Sequence, residues 1–241
     1  LIEDWLDEAT MNVRPAVTSA IANSAPGSVL MLDNARRYGV ECSLWKAKPD
    51  DLARLQSELQ PRFALPILIA GWCGLRSGEL RALRVKDVDV VGGWIRVRQG
   101  VTRISGQVLV GPPKTPASVR DVAVPPHLLP SIKTWIEHLP EGEAERYLFP
   151  GREPTAPMSE KALRHAFAKA KELIDRPDMT FHDLRHTAAT LAAQNGATTA
   201  ELMRRLGHTT ASMAMRYQHS SAQRDRQIAE ALSSLLKSEE K

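Results

Sequence analysis

The chain has 241 residues, of which 43% are hydrophobic and 25% are charged, and its formal net charge is +4 at pH 7. This composition is typical of a globular protein and, with only two cysteines, excludes collagen-like, disordered and disulfide-scaffold classes. The longest apolar run, Phe63–Cys73, is shorter than the roughly 18 residues that a membrane span needs.

The first part of the chain predicts short helical pieces rather than an independent core. Helical patterns cover Ile2–Ala9 and Ser28–Tyr38, and Pro26 interrupts them. Residues 42–49 have the composition of a linker. A separate unit is therefore expected to begin near residue 48.

Two helices are predicted directly after this linker. Asp50 and Asp51 cap a helix in which Leu52 and Leu55 share one face with Leu59. The segment 63–72 is apolar throughout, which predicts a buried helix.

The hydrophobic period then changes from helical to alternating. Short, β-branched segments cover Trp94–Arg98, Gln107–Val110 and Val119–Val124, and Gly92-Gly93 and Ser105-Gly106 separate them. These segments predict a small three-stranded antiparallel sheet.

The rest of the chain is predicted to be helical. The expected elements are a helix capped by Ser159 with a stripe of Leu163, Phe167, Ala170 and Ile174, a helix opened by Thr180–Asp183 and ended by Gly196, the helix Thr199–Leu206 ended by Gly207, a short helix through Tyr217, and an amphipathic helix around Ile228–Leu236. The predicted fold class is therefore mainly α with a small three-stranded antiparallel β-sheet (α+β).

Several polar residues stand out against this framework. Each has an ordinary structural explanation as an ion pair, a strand-edge residue, a helix cap or a core phenol. Together they form one set: Arg76 with Glu79, Lys114 on a turn between strands, His182 and Arg185 on one helix face, His208 after a helix end, and Tyr217.

This set is suited to phosphoryl transfer at a phosphodiester without a metal. Two guanidinium groups can neutralise the non-bridging oxygens, and two imidazoles can add hydrogen bonds. A phenol can act as a covalent nucleophile, and a lysine can protonate the leaving oxygen. The chain contains neither a GxxxxGK[ST] loop nor a dinucleotide-binding glycine fingerprint.

The order and spacing of these residues resemble the catalytic boxes of the tyrosine recombinase (phage integrase) family. The matching segments are Gly74–Leu80, Phe181–Thr187, Leu206–His208 and Tyr217. The amino-acid sequence of Glu201–His208 looks most similar to integrases of actinobacterial phages. The resemblance covers about residues 48–241 and implies the tyrosine recombinase catalytic fold.

The resemblance implies a role for each residue of the boxes. Arg76 and Arg185 would bind the scissile phosphate, and His182 and His208 would donate hydrogen bonds to its oxygens. Tyr217 would attack phosphorus, giving a 3′-phosphotyrosine bond and a free 5′ hydroxyl. A 5′ hydroxyl from a partner strand would later reverse the attack without ATP.

Further positions follow from the same resemblance. Lys114 matches the hairpin lysine that enters the minor groove and protonates the departing 5′ oxygen, and Glu79 matches an acidic residue that supports the first arginine. His186 is expected to pack within its helix. Arg204 and Arg205 are expected to contact DNA.

A zinc site is the main alternative use of the histidines. His182 and His186 have the i, i+4 spacing of a helical zinc pair, and His208 could be a third ligand. However, no Glu follows the first His, and Arg185 between them would repel a cation. We therefore predict neither a metal site nor a cofactor.

The resemblance also sets expectations for domains and partners. Residues 1–47 would be the C-terminal part of a helical core-type DNA-binding domain plus linker, with its remainder expected before Leu1, and 48–241 the catalytic domain with a helical tail. That tail either packs on its own domain or docks on a neighbouring protomer. The expected partners are double-stranded attachment sites, further copies of the chain (a monomer when free and a tetramer on synapsed DNA), a host bending factor and a directionality factor.

Charge and cysteine content also indicate the kind of partner and the compartment of the protein. Residues 48–241 carry 28 Lys and Arg against 22 Asp and Glu, a surplus that suits a polyanion. No secretory signal begins at Leu1, and Cys42 and Cys73 show no pairing pattern, so we expect a cytoplasmic protein without membrane contact.

The competing functions are a type IB topoisomerase, which uses the same phosphotyrosine chemistry, and a non-catalytic DNA-binding module.

Overall fold

The computed structural model describes residues 47–113, 115–140, 144–215, 217 and 229–230. The predicted helices before residue 47, the hairpin residue Lys114 and most of the predicted terminal helix lie outside the described residues. The helices are α1 (Pro49–Glu58), α2 (Pro61–Cys73), α3 (Ser77–Ala82), α4 (Leu129–His138), α5 (Glu160–Leu173), α6 (Asp183–Gln194), α7 (Thr199–Leu206) and α8 (Ala211–Met215). The strands are β1 (Val88–Asp89), β2 (Trp94–Val97), β3 (Gly100–Ile104), β4 (Gln107–Gly111) and β5 (Arg120–Ala123).

Helix α2 is the centre of the core. Its Ile67 and Ile69 are fully buried because α1, α4, α5 and α6 all pack against it. Pro61 occupies the first position of α2, where a missing N–H costs no helical hydrogen bond. The structure thus confirms the buried helix that the apolar run predicts.

The helices on either side of α2 bury the faces that their sequences predict. Helix α1 begins at Pro49 and buries Leu52 and Leu55 completely. Helix α5 is capped by Ser159, whose Oγ accepts a hydrogen bond from a backbone N–H of the first turn, and it buries Phe167. Both helices turn a charged face to solvent, as amphipathic helices do.

A three-stranded antiparallel sheet is present, which confirms the predicted fold class. Strand β2 lies between β1 and β5, with Ile95 opposite Val88 on one side and Val122 on the other. The side chains of Ile95 and Val122 face the helical core and are buried.

One strand was assigned to the wrong sheet. The segment Gln107–Val110 pairs with β3 in a separate two-stranded hairpin, and β1 supplies the third strand of the sheet instead. Ser105 and Gly106 have φ angles of 48° and 84°, so they form a tight two-residue turn that forces β4 back onto β3. Because most side chains of this hairpin are exposed, β3 lacks the alternation that would have predicted it.

The β3–β4 hairpin packs against the beginning of α3. A Cβ atom at Gly78 would lie 2.6 Å from the carbonyl oxygen of Val101, so only glycine allows this approach. The hairpin, α3 and the end of α7 thereby surround one cleft. Within the described ranges, no helix has the length and apolar character needed to cross a bilayer.

Candidate active site

Arg76 and Glu79 form a paired unit at the start of α3. The backbone N–H of Arg76 donates to Oε2 of Glu79 at 2.9 Å, and its guanidinium donates to Oε1 at 2.7 Å. The same guanidinium also donates to the carbonyl oxygen of Gly207 at 3.2 Å. The side chain of Arg76 is 37% exposed while that of Glu79 is 6% exposed. The carboxylate therefore holds the arginine from beneath and leaves part of it open to the cleft.

A second arginine, Arg120 of β5, shares this carboxylate. Its two terminal nitrogens donate to Oε1 and Oε2 of Glu79 at 3.1 and 2.9 Å, and its Nε donates to the carbonyl oxygen of Arg205 at 2.8 Å. Burial opposes ionisation of Glu79, but the hydrogen bonds and charges of Arg120 and Arg76 outweigh it. The pKa of Glu79 is therefore lowered, and this carboxylate is ionised at neutral pH.

Arg185 lies on α6 and is almost completely buried beside this network. Its guanidinium donates to the carbonyl oxygen of Gly74 at 2.5 Å and to that of Leu206. Burial and the charge of Arg76 lower the pKa of Arg185 to about 9, with Glu79 acting in the opposite direction. Arg185 stays a cation at neutral pH, and an added anion would relieve the cost of burying its charge.

Two glycines let the helix ends approach closely enough for these contacts. Gly74 and Gly207 have φ angles of 74° and 66°, in the left-handed region. A Cβ atom at Gly74 would lie 2.6 Å from Leu206, and one at Gly207 would lie 2.9 Å from the carbonyl oxygen of Ala117. The ends of α2 and α7 therefore meet at the arginines, which accounts for the glycines in both predicted boxes.

The two predicted histidines have different surroundings. His182 directly precedes α6, and partial desolvation and the positive charges of Arg185 and Arg76 lower its pKa. His182 is thus a neutral imidazole at neutral pH. His208 follows Gly207 at the end of α7 and is buried, with its ring nearly parallel to that of Tyr217 at 6.4 Å between centroids.

Tyr217 is held by a small apolar cluster formed by α6, α7 and α8. The cluster contains Ala189, Leu202, Leu206 and Ala214, and it leaves Tyr217 only 6% exposed. These contacts come from helices of the same chain. They hold the phenol near the guanidinium of Arg185.

The hydroxyl of Tyr217 lies 2.5 Å from Nδ1 of His186, within hydrogen-bonding distance. The ring of His186 also makes an edge contact with His182 at 4.8 Å between centroids. The prediction that His186 packs within its own helix is therefore wrong. The side chain contacts Tyr217 because α7, α8 and the segment after α8 pack against α6.

The remaining predicted DNA contacts have mixed surroundings. Arg204 is exposed on α7. Arg205 donates hydrogen bonds to the carbonyl oxygens of Ala123 and Trp72 at 3.2 and 3.1 Å, which ties α7 to β5 and α2. Lys114 lies outside the described residues, but its neighbours Pro113 and Thr115 both line the cleft. DNA contact by Arg204 and Arg205 stays a prediction.

The cleft has a volume of about 670 Å³, and Arg76 and Glu79 are among its lining residues. It is also lined by the β3–β4 hairpin and by Gly207 and Thr209 after α7. Among the described groups, Arg76 and Arg120 donate hydrogen bonds to the carboxylate of Glu79, and the buried cation of Arg185 interacts electrostatically with both Arg76 and Glu79. Such a set of fixed donors around one counterion is suited to a tetrahedral anion such as a phosphodiester.

The sequence did not single out Arg120, and it predicted only a packing role for His186. Arg120 shares the inward face of β5 with Val122, and a charged residue on a buried face signals a buried partner. His186 follows His182 by one helical turn, which places both on one face of α6. These signals indicate buried polar contacts, although neither names the partner.

Replacing Glu79 by Gln should lower the free energy of unfolding by about 3–5 kcal/mol, since it leaves the buried Arg120 without its counterion. Chemical denaturation followed by circular dichroism measures this change. The matched control is Glu137→Gln on α4, where an exposed carboxylate pairs with Lys133 and should contribute less than about 1 kcal/mol. Equal losses for the two variants would contradict the network.

The difference in stability between wild type and Glu79→Gln should also depend on pH, in a direction that the pKa of Glu79 determines. The pKa of Glu79 is lower in the folded chain than its ordinary value of 4.5. Its contribution is therefore fully present above pH 4.5 and is lost as the pH falls through the folded value. The difference in stability between wild type and Glu79→Gln should shrink below that pH.

The chain matches known families over most of its length. A sequence model described as the phage integrase family matches residues 48–224. The prophage phiRv2 integrase of Mycobacterium tuberculosis is 40% identical over 230 residues, covering 95% of this chain and 60% of the relative. The integrase of Mycobacterium phage L5 is 37% identical over 232 residues, covering 92% and 62%. The chain thus spans about 60% of the length of these relatives.

Solved structures share the fold at low sequence identity. The Tn1549 transposon integrase, solved with circular intermediate DNA, superposes with a TM-score of 0.67 at 20% identity, covering 96% of this chain and 84% of that one. The XerA recombinase superposes with a TM-score of 0.59 at 17% identity, covering 94% of this chain and 87% of that one.

In the described part of this chain, no three His, Cys, Asp or Glu side chains are grouped as a metal site would require.

Proposed function

Since this chain belongs to the phage integrase family, we propose that it is the catalytic part of a site-specific DNA recombinase. The reaction breaks and rejoins DNA strands through a covalent bond between Tyr217 and a 3′ phosphate. The observation that carries the proposal is the convergence of Arg76, Arg185, His182, His208 and Tyr217, of which Arg76 lines the cleft.

Each side chain has a defined part in the proposed cleavage step. Arg76 and Arg185 neutralise the non-bridging oxygens of the scissile phosphate, and His182 and His208 donate hydrogen bonds to them. The phenol oxygen of Tyr217 forms a bond to phosphorus while the bond to the 5′ oxygen breaks. The leaving oxygen takes a proton from Lys114, the residue at the family's hairpin position.

The second half of the reaction reverses the first. A 5′ hydroxyl from another strand attacks the phosphotyrosine, and the Tyr217 oxygen leaves with a proton. One phosphodiester is thus exchanged for another through an ester intermediate, so neither ATP nor a metal is required. The proposal therefore includes no cofactor.

The partners follow from this reaction. The substrate is double-stranded attachment-site DNA, a proposal supported by the three arginines around Glu79 and by the DNA complex of the similar Tn1549 integrase. Two sites and two strands per site call for four copies of the chain on synapsed DNA, with a monomer when free. A host bending factor and a directionality factor complete the assembly in a bacterial cytoplasm. Residues 1–47 supply the end of a core-type DNA-binding domain, and 48–241 the catalytic domain.

The test is capture of a covalent adduct on suicide DNA. The purified chain is incubated, with EDTA present, with duplexes that span the ends of its own mobile element and carry nicks at successive positions. We expect an SDS-resistant adduct with a 3′ phosphate at one position in each site. Strand exchange between two sites supports a recombinase, whereas relaxation of plasmids without site preference supports a topoisomerase. Binding without an adduct on any duplex would leave only the DNA-binding module.

A further inference from the structure

The Tyr217 hydroxyl has a defined partner within the protein. Nδ1 of His186 lies 2.5 Å from this oxygen, and the two rings are 5.8 Å apart at an angle of 42°. The contact joins α6 to the segment after α8, across 31 residues of sequence. None of the steps described above uses His186.

Both members of the pair are fixed by their surroundings. Tyr217 is packed among apolar residues of α6, α7 and α8 and is almost fully buried. His186 is half-buried and meets the ring of His182 edge-on. The imidazole nitrogen is therefore already positioned at the phenol oxygen before DNA binds. Little side-chain conformational entropy then needs to be lost when the reacting groups are brought together.

The nucleophile of the proposed reaction needs a base. A free phenol has a pKa near 10, so almost all of it is protonated at pH 7 and is a weak nucleophile. A free imidazole has a pKa near 6.5, so its neutral form is abundant at pH 7 and accepts a proton readily. A neutral imidazole in contact with the phenol is therefore a chemically suitable acceptor.

We propose that His186 is the general base for Tyr217, a catalytic role that rests on the function proposed above. In the free chain the Tyr217 O–H donates to an unprotonated Nδ1 of His186, and Nε2 carries the ring hydrogen. During cleavage the proton moves to Nδ1 while the phenol oxygen bonds to phosphorus and the bond to the 5′ oxygen breaks. During rejoining the imidazolium returns this proton to the departing Tyr217 oxygen.

Several other charged or titratable groups lie around the pair. They are His182 directly before α6, Asp183 and Arg185 of α6, His208 after α7, and Arg76 at the start of α3. Each of them can shape the pH profile of the wild-type reaction. The role of His186 is therefore measured from differences between matched variants.

Two substitutions separate proton transfer from positioning. His186→Asn keeps a polar atom near the place of Nδ1 but has no basicity at neutral pH, and His186→Phe keeps the ring but removes both functions. The matched control is His165→Asn, which is exposed on α5 and is not among the residues that line the cleft. Single-turnover adduct formation is measured with the nicked suicide duplexes between pH 5 and 9, together with DNA affinity.

Both His186 variants should form the adduct about 100-fold more slowly at pH 7, the lower end of the usual range for a general base, with unchanged DNA affinity. The wild-type rate should fall on the acid side, where His186 becomes protonated, and the variants should lack that fall and gain rate steadily with pH. His165→Asn should behave as wild type. A 5′-bridging phosphorothiolate, whose leaving group needs no acid, should rescue Lys114→Ala but neither His186 variant.

The opposite results identify what fails. Full activity of His186→Asn with the wild-type pH profile would assign His186 to positioning only and overturn its role as base. Faster cleavage by either variant would mean that His186 holds Tyr217 back, which also overturns it. If wild type forms no adduct on any duplex, the proposed function fails and this role fails with it.

A measurement on the free chain tests the hydrogen bond even if the variants do not fold. Nitrogen-15 NMR of the histidine side chains distinguishes an unprotonated from a protonated Nδ1. We expect His186 as the tautomer with hydrogen on Nε2, and a shifted Nδ1 resonance in Tyr217→Phe. Hydrogen on Nδ1 would mean that His186 donates to the phenol, and this would overturn the proposal whatever the DNA assays give.

Discussion

Replacing Tyr217 by Phe should abolish the covalent protein–DNA adduct and leave DNA affinity nearly unchanged. The variant loses one hydroxyl and keeps the ring that packs between α6, α7 and α8, so the shape of the cleft is retained. No tyrosine is among the described residues that line the neighbouring cleft. Adduct formation on nicked DNA and binding by fluorescence anisotropy measure the two effects.

Stability and a second tyrosine provide the controls for this variant. Loss of the contact with His186 should lower the free energy of unfolding by about 1 kcal/mol, the usual net contribution of one hydrogen bond. Tyr147→Phe removes a hydroxyl from another buried tyrosine and should retain full adduct formation. A tenfold loss of DNA affinity in Tyr217→Phe, or an adduct that persists, would contradict the assignment of the nucleophile.

Replacing Arg185 by Ala should slow adduct formation by about 100- to 1000-fold, equivalent to about 3–4 kcal/mol in the chemical step. The effect is large because a fixed, buried cation acts on the charge that develops at phosphorus in the transition state. Ground-state DNA affinity should fall much less, since many surface phosphate contacts remain. Single-turnover rates at saturating enzyme separate the chemical step from binding.

Arg185→Lys is the informative companion of this variant. Lysine keeps the positive charge but cannot span the carbonyl oxygens of Gly74 and Leu206 and a phosphate with one planar group. We therefore expect only partial recovery of the rate. Because Arg185 also joins the ends of α2 and α7, unfolding curves must show that both variants are folded under the assay conditions. Full activity of folded Arg185→Ala would rule out its part in catalysis.

Local signals in the sequence were sufficient for the helices that carry the site. Helix α7 has the predicted bounds because Thr198 and Glu201 form a capping box at its start and Gly207 ends it in the left-handed conformation. Each of these signals acts within a few residues of the helix end. The position of His208 directly after Gly207 follows from them.

Contacts between distant segments could not be predicted in the same way. Glu79 and Arg120 are 41 residues apart, and their bidentate contact depends on how α3 packs against β5. Tyr217 and His186 meet only because α8 folds back over α6 and α7. Sequence spacing shows which residues share an element, but the partner across an interface is set by tertiary packing.

The misassigned strand has the same origin. The positive φ angles at Ser105 and Gly106 produce a tight turn, so β4 pairs with β3 in a hairpin and not with a strand of the three-stranded sheet. The alternation of Gln107–Val110 predicts a strand correctly but does not show which strand it pairs with. As a result the hairpin is free to pack on α3 and form one wall of the cleft.

Mapping the residue that becomes joined to DNA tests the assignment of Tyr217 as the nucleophile. The purified chain is trapped on nicked attachment-site DNA in EDTA, digested with a protease and a nuclease, and analysed by mass spectrometry. We expect a single modified peptide, with a nucleotide 3′ phosphate ester on Tyr217. A modification on any other residue, or an adduct that EDTA prevents, would contradict it.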